Sequence, residues 1–484
     1  MNVNSNHRAL WAWLLFFSCV ALPAHADDTH YQDYIVGGRA VGLGGAFCSI
    51  ADDPSGLFYN PAGIVDGRHA SLQVSTNLYG FERGGYNEIA ALPGVENLNI
   101  DFTELIIVPS SAGVIRTLGD PLPNGLPSQA VGLAVVVPSF RSIAITSPRL
   151  DVNSSLSGLV GNQERTYVRR VTDRSLWAGV GYARKFGSRL RLGIGGYYVL
   201  RTLVDTEEAS LVGGLEDESG QVFSVASNDI TLVNGSMLVS AGLKYLFDSG
   251  VNVGLTVLSP TVGVHSSGTI QSYRGEAIPS CPAGLDCDAD EIMQNAGTSN
   301  FQLLNGAARS ETRRNVTIKG GLSYMARRRL TLSGDLSYHA PVSYHLVEQL
   351  GNRKLERLPF VSKIEREAVL NFNLGAEFLV VPEVSLAAGV FSDYSSAPSI
   401  PDGEITSPVA PDLDLIGVTF AIGYFGNHTL TRIGVLYNQG TGRDVVQTNE
   451  VESLIGDQAL GSSYETVSYT QSFLYFFVSS TFRY

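Results

Sequence analysis

The sequence predicts an all-β protein, a transmembrane antiparallel β-barrel of about fourteen strands whose lumen holds an N-terminal plug. Three observations predict it. Short segments of alternating hydrophobicity recur along the chain, their connections alternate between tight turns and long polar loops, and the chain ends on an aromatic residue, Tyr484.

Composition excludes the competing classes first. Of 484 residues, 44% are hydrophobic and only 16% charged, far too apolar for a disordered chain. The balance of 33 basic against 46 acidic residues, a net charge of −13, opposes binding to nucleic acid phosphates. Beyond the N-terminus no apolar run reaches the roughly 18 residues that a membrane helix needs, which excludes a polytopic helical membrane protein.

The N-terminus reads as a secretory leader. Residues 9–22 (ALWAWLLFFSCVAL) form an apolar stretch after Arg8, followed by Pro23 and the cleavage pattern Ala24-His25-Ala26. Residues 1–26 are therefore expected to be a signal peptide, with a mature start at Asp27. Three cysteines then remain. In an oxidising compartment Cys281 and Cys287, flanking Pro282 and Gly284, are expected to close a small disulfide loop, and burial accounts for Cys48.

The strands come next. Leu332, Gly334, Leu336 and Tyr338 share one face while Thr331, Ser333, Asp335, Ser337 and His339 share the other; Leu370, Phe372, Leu374, Ala376 and Phe378 likewise oppose Asn371, Asn373, Gly375 and Glu377. Period and turn signals place strands at 70–80, 106–117, 128–145, 166–187, 189–206, 223–247, 251–272, 308–327, 330–346, 364–381, 384–394, 413–425, 429–440 and 467–484.

A sandwich alternates in the same way, so the loops decide. Short turns at Gly187-Ser188, Asp248-Ser249-Gly250, Arg328-Arg329, Pro382-Glu383 and Gly426-Asn427-His428 are separated by long polar loops. A barrel with an even strand number sorts its connections this way, because all the turns on the periplasmic side can be tight. Leu474, Phe476, Val478, Ser480, Phe482 and Tyr484 fall on one face of the last segment, like the terminal strand of bacterial outer-membrane barrels. Residues 69–484 are assigned to the barrel.

Residues 27–68 differ in kind. From Tyr34 to Gly67 alternation is absent and small residues dominate. Gly44 and Gly45 permit close approach and positive φ. Asp52-Asp53-Pro54-Ser55-Gly56 is one turn and Asn60-Pro61-Ala62-Gly63 a second. A compact segment of this kind suits a hatch folded back into the lumen.

The pattern from Gly44 to Gly63, GGAFCSIADDPSGLFYNPAG, resembles the N-terminal hatch of the FadL family of outer-membrane transporters for long-chain fatty acids and toluene-like hydrocarbons. Barrels of the PorV type, which act as shuttles in protein secretion, carry a related motif. The FadL resemblance implies a hydrophobic small-molecule ligand, a lumen gated by the hatch, and a sideways exit through a wall defect into outer-membrane lipid. A monomer without cofactor or metal is expected. The defect is expected at Pro138, whose missing N–H interrupts a strand ladder; the competing reading is that Pro138 only ends the spanning part of its strand.

Other signals are thinner. Asp286, Asp288 and Asp290 have the spacing of a calcium loop, but Glu291 stands where the turn glycine belongs, so a solvated acidic loop is expected. There is no G-x-S-x-G elbow or HExxH pattern, and no enzyme is expected. Arg191, Arg314, Lys319 and Arg366 lie on polar strand faces, able to pair with a ligand carboxylate or simply to line a wet lumen.

Overall fold

A computed structural model describes residues 29–32, 34–67, 71–89, 98–119, 127–146, 150–152, 163–214, 221–278, 297–326, 329–350, 363–400, 410–448 and 463–483. The expected signal peptide, the pair Cys281 and Cys287, and the acidic loop lie outside the described residues.

The chain forms a closed 14-strand antiparallel barrel. We number its strands β1 (Ser71–Ile89), β2 (Leu98–Leu118), β3 (Gln129–Thr146), β4 (Gln163–Phe186), β5 (Leu190–Gly214) and β6 (Gln221–Leu246). Four strands follow in pieces: β7 (Val251–Leu258 and Val262–Ile278), β8 (Gly297–Ser310 and Thr317–Ala326), β9 (Leu330–His339, then Val342–His345 and Val347–Leu350) and β10 (Lys363–Arg366 and Val369–Val381). The last are β11 (Val384–Asp393), β12 (Asp412–Phe425), β13 (Thr429–Thr448) and β14 (Ser463–Arg483). Each strand pairs with its sequence neighbour, and β1 pairs with β14 from Ser71↔Arg483 to Asn87↔Ser468, closing the ring.

Alternation along each strand has the sense of a membrane barrel. On β12, Ile416, Val418, Phe420, Ile422 and Tyr424 are exposed on the outside. On β9, Leu332, Leu336 and Tyr338 face outward, while Thr331, Ser333, Asp335, Ser337 and His339 are buried inside. An apolar exterior around a polar interior inverts the order of a soluble protein and fits a lipid surround.

Several strands depart from the expected spans. β1 and β2 extend farther outward, to Ile89 and from Leu98. Strands β7 to β10, each expected to be continuous, break at 259–261, 311–316, 340–341 and 367–368. Pro260 and Pro341 explain two of the breaks, since neither can donate to a ladder. Side chains bridge the seam: the Arg314 N–H donates to Thr261 Oγ1 at 2.8 Å, and the Asn315 amide donates to the Ala340 carbonyl.

Residues 34–67 form α1 (Gly38–Gly42), α2 (Gly56–Tyr59) and a 3-10 turn (Pro61–Asp66). Ile35, Leu43, Phe47, Leu57 and Ile64 of this segment share one buried cluster with Ile106, Ile115, Trp177, Phe391 and Tyr475 of the wall. Each such side chain contributes about 2 kcal/mol by burial. The apolar core of the protein is therefore the contact between the N-terminal segment and the inner wall.

Candidate functional site

Glycines make that contact possible. Gly132 faces Gly181, Gly193 faces Gly242, Gly254 faces Gly321, and Gly375 faces Gly389 across adjacent strands. At Gly193 a Cβ would stand 2.4 Å from the Ala62 nitrogen, and at Gly254 2.6 Å from the Cys48 carbonyl oxygen. The wall thus presents bare backbone where the segment presses against it. From the other side, Gly44 (φ 60°) and Gly45 (φ 86°) turn the chain against β11 and β10, a conformation other residues adopt only with strain. The Asn373 amide donates to the Gly44 carbonyl at 2.6 Å.

The two turns carry most of the polar attachments. Asp53 Oδ1 accepts the Gly56 N–H at 3.2 Å and the Ser55 hydroxyl, shaping the entry to α2. Burial and the neighbouring Asp52 push its carboxyl up. Pro54 packs against Gly113 of β2. Asn60 is fully buried and bonds in three directions. Its Oδ1 accepts the Ala62 N–H at 3.0 Å, and its Nδ2 donates to the carbonyls of Cys48 and of Leu243 on β6, both at 3.0 Å. Pro61 begins the 3-10 turn, its fixed φ suiting the first position. At Gly63 a Cβ would meet the Ala51 carbonyl at 2.1 Å.

Three contacts centred on carboxyl groups tie segment to wall, two of them ion pairs. Arg39 donates to both oxygens of Asp52 (3.0 and 2.8 Å) and to Glu377 of β10 (3.0 Å), which also pairs with Arg432 of β13 at 3.1 Å. Burial alone would lower the Arg39 guanidinium, but Asp52 and Glu377 outweigh it and raise it. Asp335 of β9 accepts the N–H groups of Phe47 and Cys48, both at 2.7 Å. Near the tight-turn end, Asp66 meets Lys244 (2.8 Å), Arg191 (3.0 Å) and Lys185 (3.4 Å) from three successive strands. Burial would raise this carboxyl; Lys244, Arg191 and Lys185 override it and hold it down at about 2. Cys48 is enclosed among Thr256, Asn60 and the Lys319 carbonyl, and burial pushes its thiol up to about 12, an inert state.

Pro138 lies at a break in the wall. Among the described residues the β2–β3 ladder runs from Leu118↔Gln129 to Ser111↔Val136 and stops. Outward of that rung β2 continues against β1, and β3 resumes against β4 at Ser139↔Ser175, with Val137 and Pro138 bulged. Pro109, just past the last rung on β2, also lacks an N–H. Sequence alone does not single out Pro109, because only the register of β2 against β3 sets it past the same last rung as Pro138. The N-terminal segment covers this break. The Tyr34 N–H donates to the Pro138 carbonyl at 3.3 Å, its hydroxyl donates to the Phe140 carbonyl at 2.5 Å, and its ring stands edge-on to Tyr475.

Above the segment the lumen carries aromatic rings and cations. Phe58 meets Trp177 edge-on at 5.5 Å, and Trp177 meets Tyr197 at 5.7 Å. Arg314 lies 4.8 Å from the Trp177 ring, and Lys319 lies 5.0 Å from Phe58 and 5.4 Å from Tyr59. Of the four strand cations singled out in the sequence, Arg191 thus pairs with Asp66, whereas Arg314, Lys319 and Arg366 stand over aromatic rings. Among the described residues no group of His, Cys, Asp and Glu is arranged to hold a metal ion.

No protein-family profile and no curated protein matches this sequence. Solved structures do match. A Pseudomonas aeruginosa FadL homologue superposes with a TM-score of 0.60 at 14% identity, over 94% of this chain and 99% of that one. The Pseudomonas putida toluene transporter TodX gives 0.55 at 12% identity, over 94% and 100%. The CymD monoaromatic hydrocarbon channel gives 0.52 at 12% identity, over 93% and 97%. The chain has the fold of an outer-membrane β-barrel, and within that class the fold is the one shared by FadL-type channels.

Proposed function

We propose that this protein is an outer-membrane channel for the uptake of hydrophobic compounds, long-chain fatty acids or aromatic hydrocarbons. Residues 34–67 act as its hatch, and solute leaves sideways between β2 and β3 into lipid. The observation that carries this reading is the ladder that stops at Ser111↔Val136 and is covered from inside by Tyr34. A closed barrel in lipid has no reason to leave strand edges unladdered, and a side chain of the plug placed over that edge makes the opening dependent on the plug. The fold shared with a toluene transporter and a monoaromatic hydrocarbon channel supports the same reading.

The physical chemistry is direct. An acyl chain gains about 0.8 kcal/mol for each CH₂ moved from water to an apolar surface. Phe58, Trp177 and Tyr197 offer that surface, and Lys319 and Arg314 offer a partner for a carboxylate. When Tyr34 withdraws, the solute passes from lumen to bilayer without crossing bulk water. Labelled oleate and labelled toluene, supplied to cells that lack their own transporter, test the reading. Accumulation several-fold above an empty vector is expected. No accumulation of either would move the assignment to a partner in protein secretion.

A further inference from the structure

The side chain of Tyr31 occupies a niche built where the strands break. His339 at the end of the first β9 piece stacks on the ring, 4.0 Å between centroids and 3° from parallel. Arg366 at the end of the first β10 piece lies 5.0 Å from the ring centroid, and Arg314 in the β8 interruption 5.6 Å. Asn315, next to Arg314, donates its amide to the Tyr31 hydroxyl at 2.8 Å.

Four side chains of the wall, two from strand ends and two from the β8 interruption, therefore converge on one ring supplied by the N-terminal tail. Regular strands could not bring them together, because Arg314 and Asn315 are adjacent and would face opposite sides. The tail does not depend on this ring for its place. The Tyr31 N–H donates to Asp393, the Thr29 carbonyl accepts from Ser396, and His30 donates to the Leu413 carbonyl. Arg314 also reaches Trp177, so the niche adjoins the aromatic lining of the lumen.

We propose that this niche is a binding site for a phenolic ring, which the protein's own Tyr31 occupies in this structure as an internal ligand. The chemistry selects the class. A flat imidazole and two guanidinium groups favour an electron-rich aromatic face. The Asn315 amide, whose other N–H serves the Ala340 carbonyl, favours a ring bearing oxygen, since a bare hydrocarbon leaves one N–H without an acceptor. The inference extends the channel reading to a ligand class, but its binding test does not depend on transport.

The test uses the full-length protein in detergent micelles, titrated with p-cresol (the tyrosine side chain itself) and with toluene. Tyr31→Ala should bind p-cresol at least tenfold more tightly than wild type and should prefer it to toluene by about tenfold. Tyr31→Phe, which keeps the niche filled, should gain nothing, and Asn315→Ala added to Tyr31→Ala should abolish the preference. Equal p-cresol affinity in wild type and Tyr31→Ala, or no preference over toluene, overturns the proposal. If Tyr31→Ala does not assemble, hydrogen exchange on wild type decides. Millimolar p-cresol should speed exchange across residues 29–34 several-fold more than toluene does, and an equal response overturns the proposal.

Discussion

The backbone N–H of Tyr34 donates to the carbonyl oxygen of Pro138 at 3.3 Å, the point at which β3 has lost β2 as a partner. A carbonyl that a neighbouring strand would ordinarily satisfy is served instead by the N-terminal segment. On the proposed lateral route, Pro138 sets where the wall opens. Alanine there restores an N–H that can donate to a strand ladder. Pro138→Ala should let the ladder extend outward past Val136 and lower uptake several-fold, while the barrel still migrates differently before and after boiling in SDS. Unchanged uptake would separate Pro138 from the exit.

Asn60 joins the turn, the rest of the N-terminal segment and the wall in one residue. Asn60→Ala leaves the carbonyls of Cys48 and Leu243 without this donor and uncaps the 3-10 turn, a loss of about 2 kcal/mol or more in docking the segment. With Pro61→Ala added, residues 34–67 should become sensitive to protease in folded barrels. Uptake should change several-fold, and heat-modifiable migration should persist. A segment as resistant as wild type would contradict the role given to this turn.

The Asp66 cluster gives the docking of the N-terminal segment a defined response to acid. With its carboxyl held at about 2 against an ordinary 3.8, Asp66 is ionised more readily in the docked state. Its contribution, about 2 kcal/mol, is therefore complete above pH 4 and disappears as the pH falls from 4 toward 2. Proteolysis of the segment after brief exposure to each pH should rise through that window. Asp66→Asn takes the counter-charge from three cations and should loosen residues 34–67 already at pH 7.

Bulk on the glycine surface should act in the same direction from the wall. Gly193→Val places carbons where Pro61 and Ala62 now lie, and relieving the clash costs about 1–3 kcal/mol. The barrel should form, because valine suits a strand, but hydrogen exchange across 57–66 should accelerate. Exchange matching wild type would mean that the close approach is not needed for docking.

The barrel was legible because lipid imposes alternation strand by strand, as in Ile416 to Tyr424, and because tight turns such as Gly187-Ser188 end their strands visibly. The pieces of β7 to β10 were not, since an interruption such as 311–316 carries no proline and is held by side chains from other strands. Alternation alone puts Gly375 on a polar face, but its pairing with Gly389, like that of Gly254 with Gly321, depends on register. Asp335 was likewise placed on the inner face, yet its partners lie almost 290 residues away, at the amides of Phe47 and Cys48. Asn60 belongs to a turn that the sequence marks, while its bond to Leu243 requires the wall to be in place.

Photolabelling tests the lateral route most directly. Outer-membrane vesicles carrying the protein are loaded with a fatty acid bearing a terminal diazirine, irradiated, and the adducts are mapped by mass spectrometry. The account predicts adducts on Tyr34 and on residues flanking the break, Val108 on β2 and Val137 on β3, and fewer of them in Pro138→Ala. Adducts gathered around Asp66 and Lys244 at the tight-turn end, with none at the β2–β3 break, would contradict it.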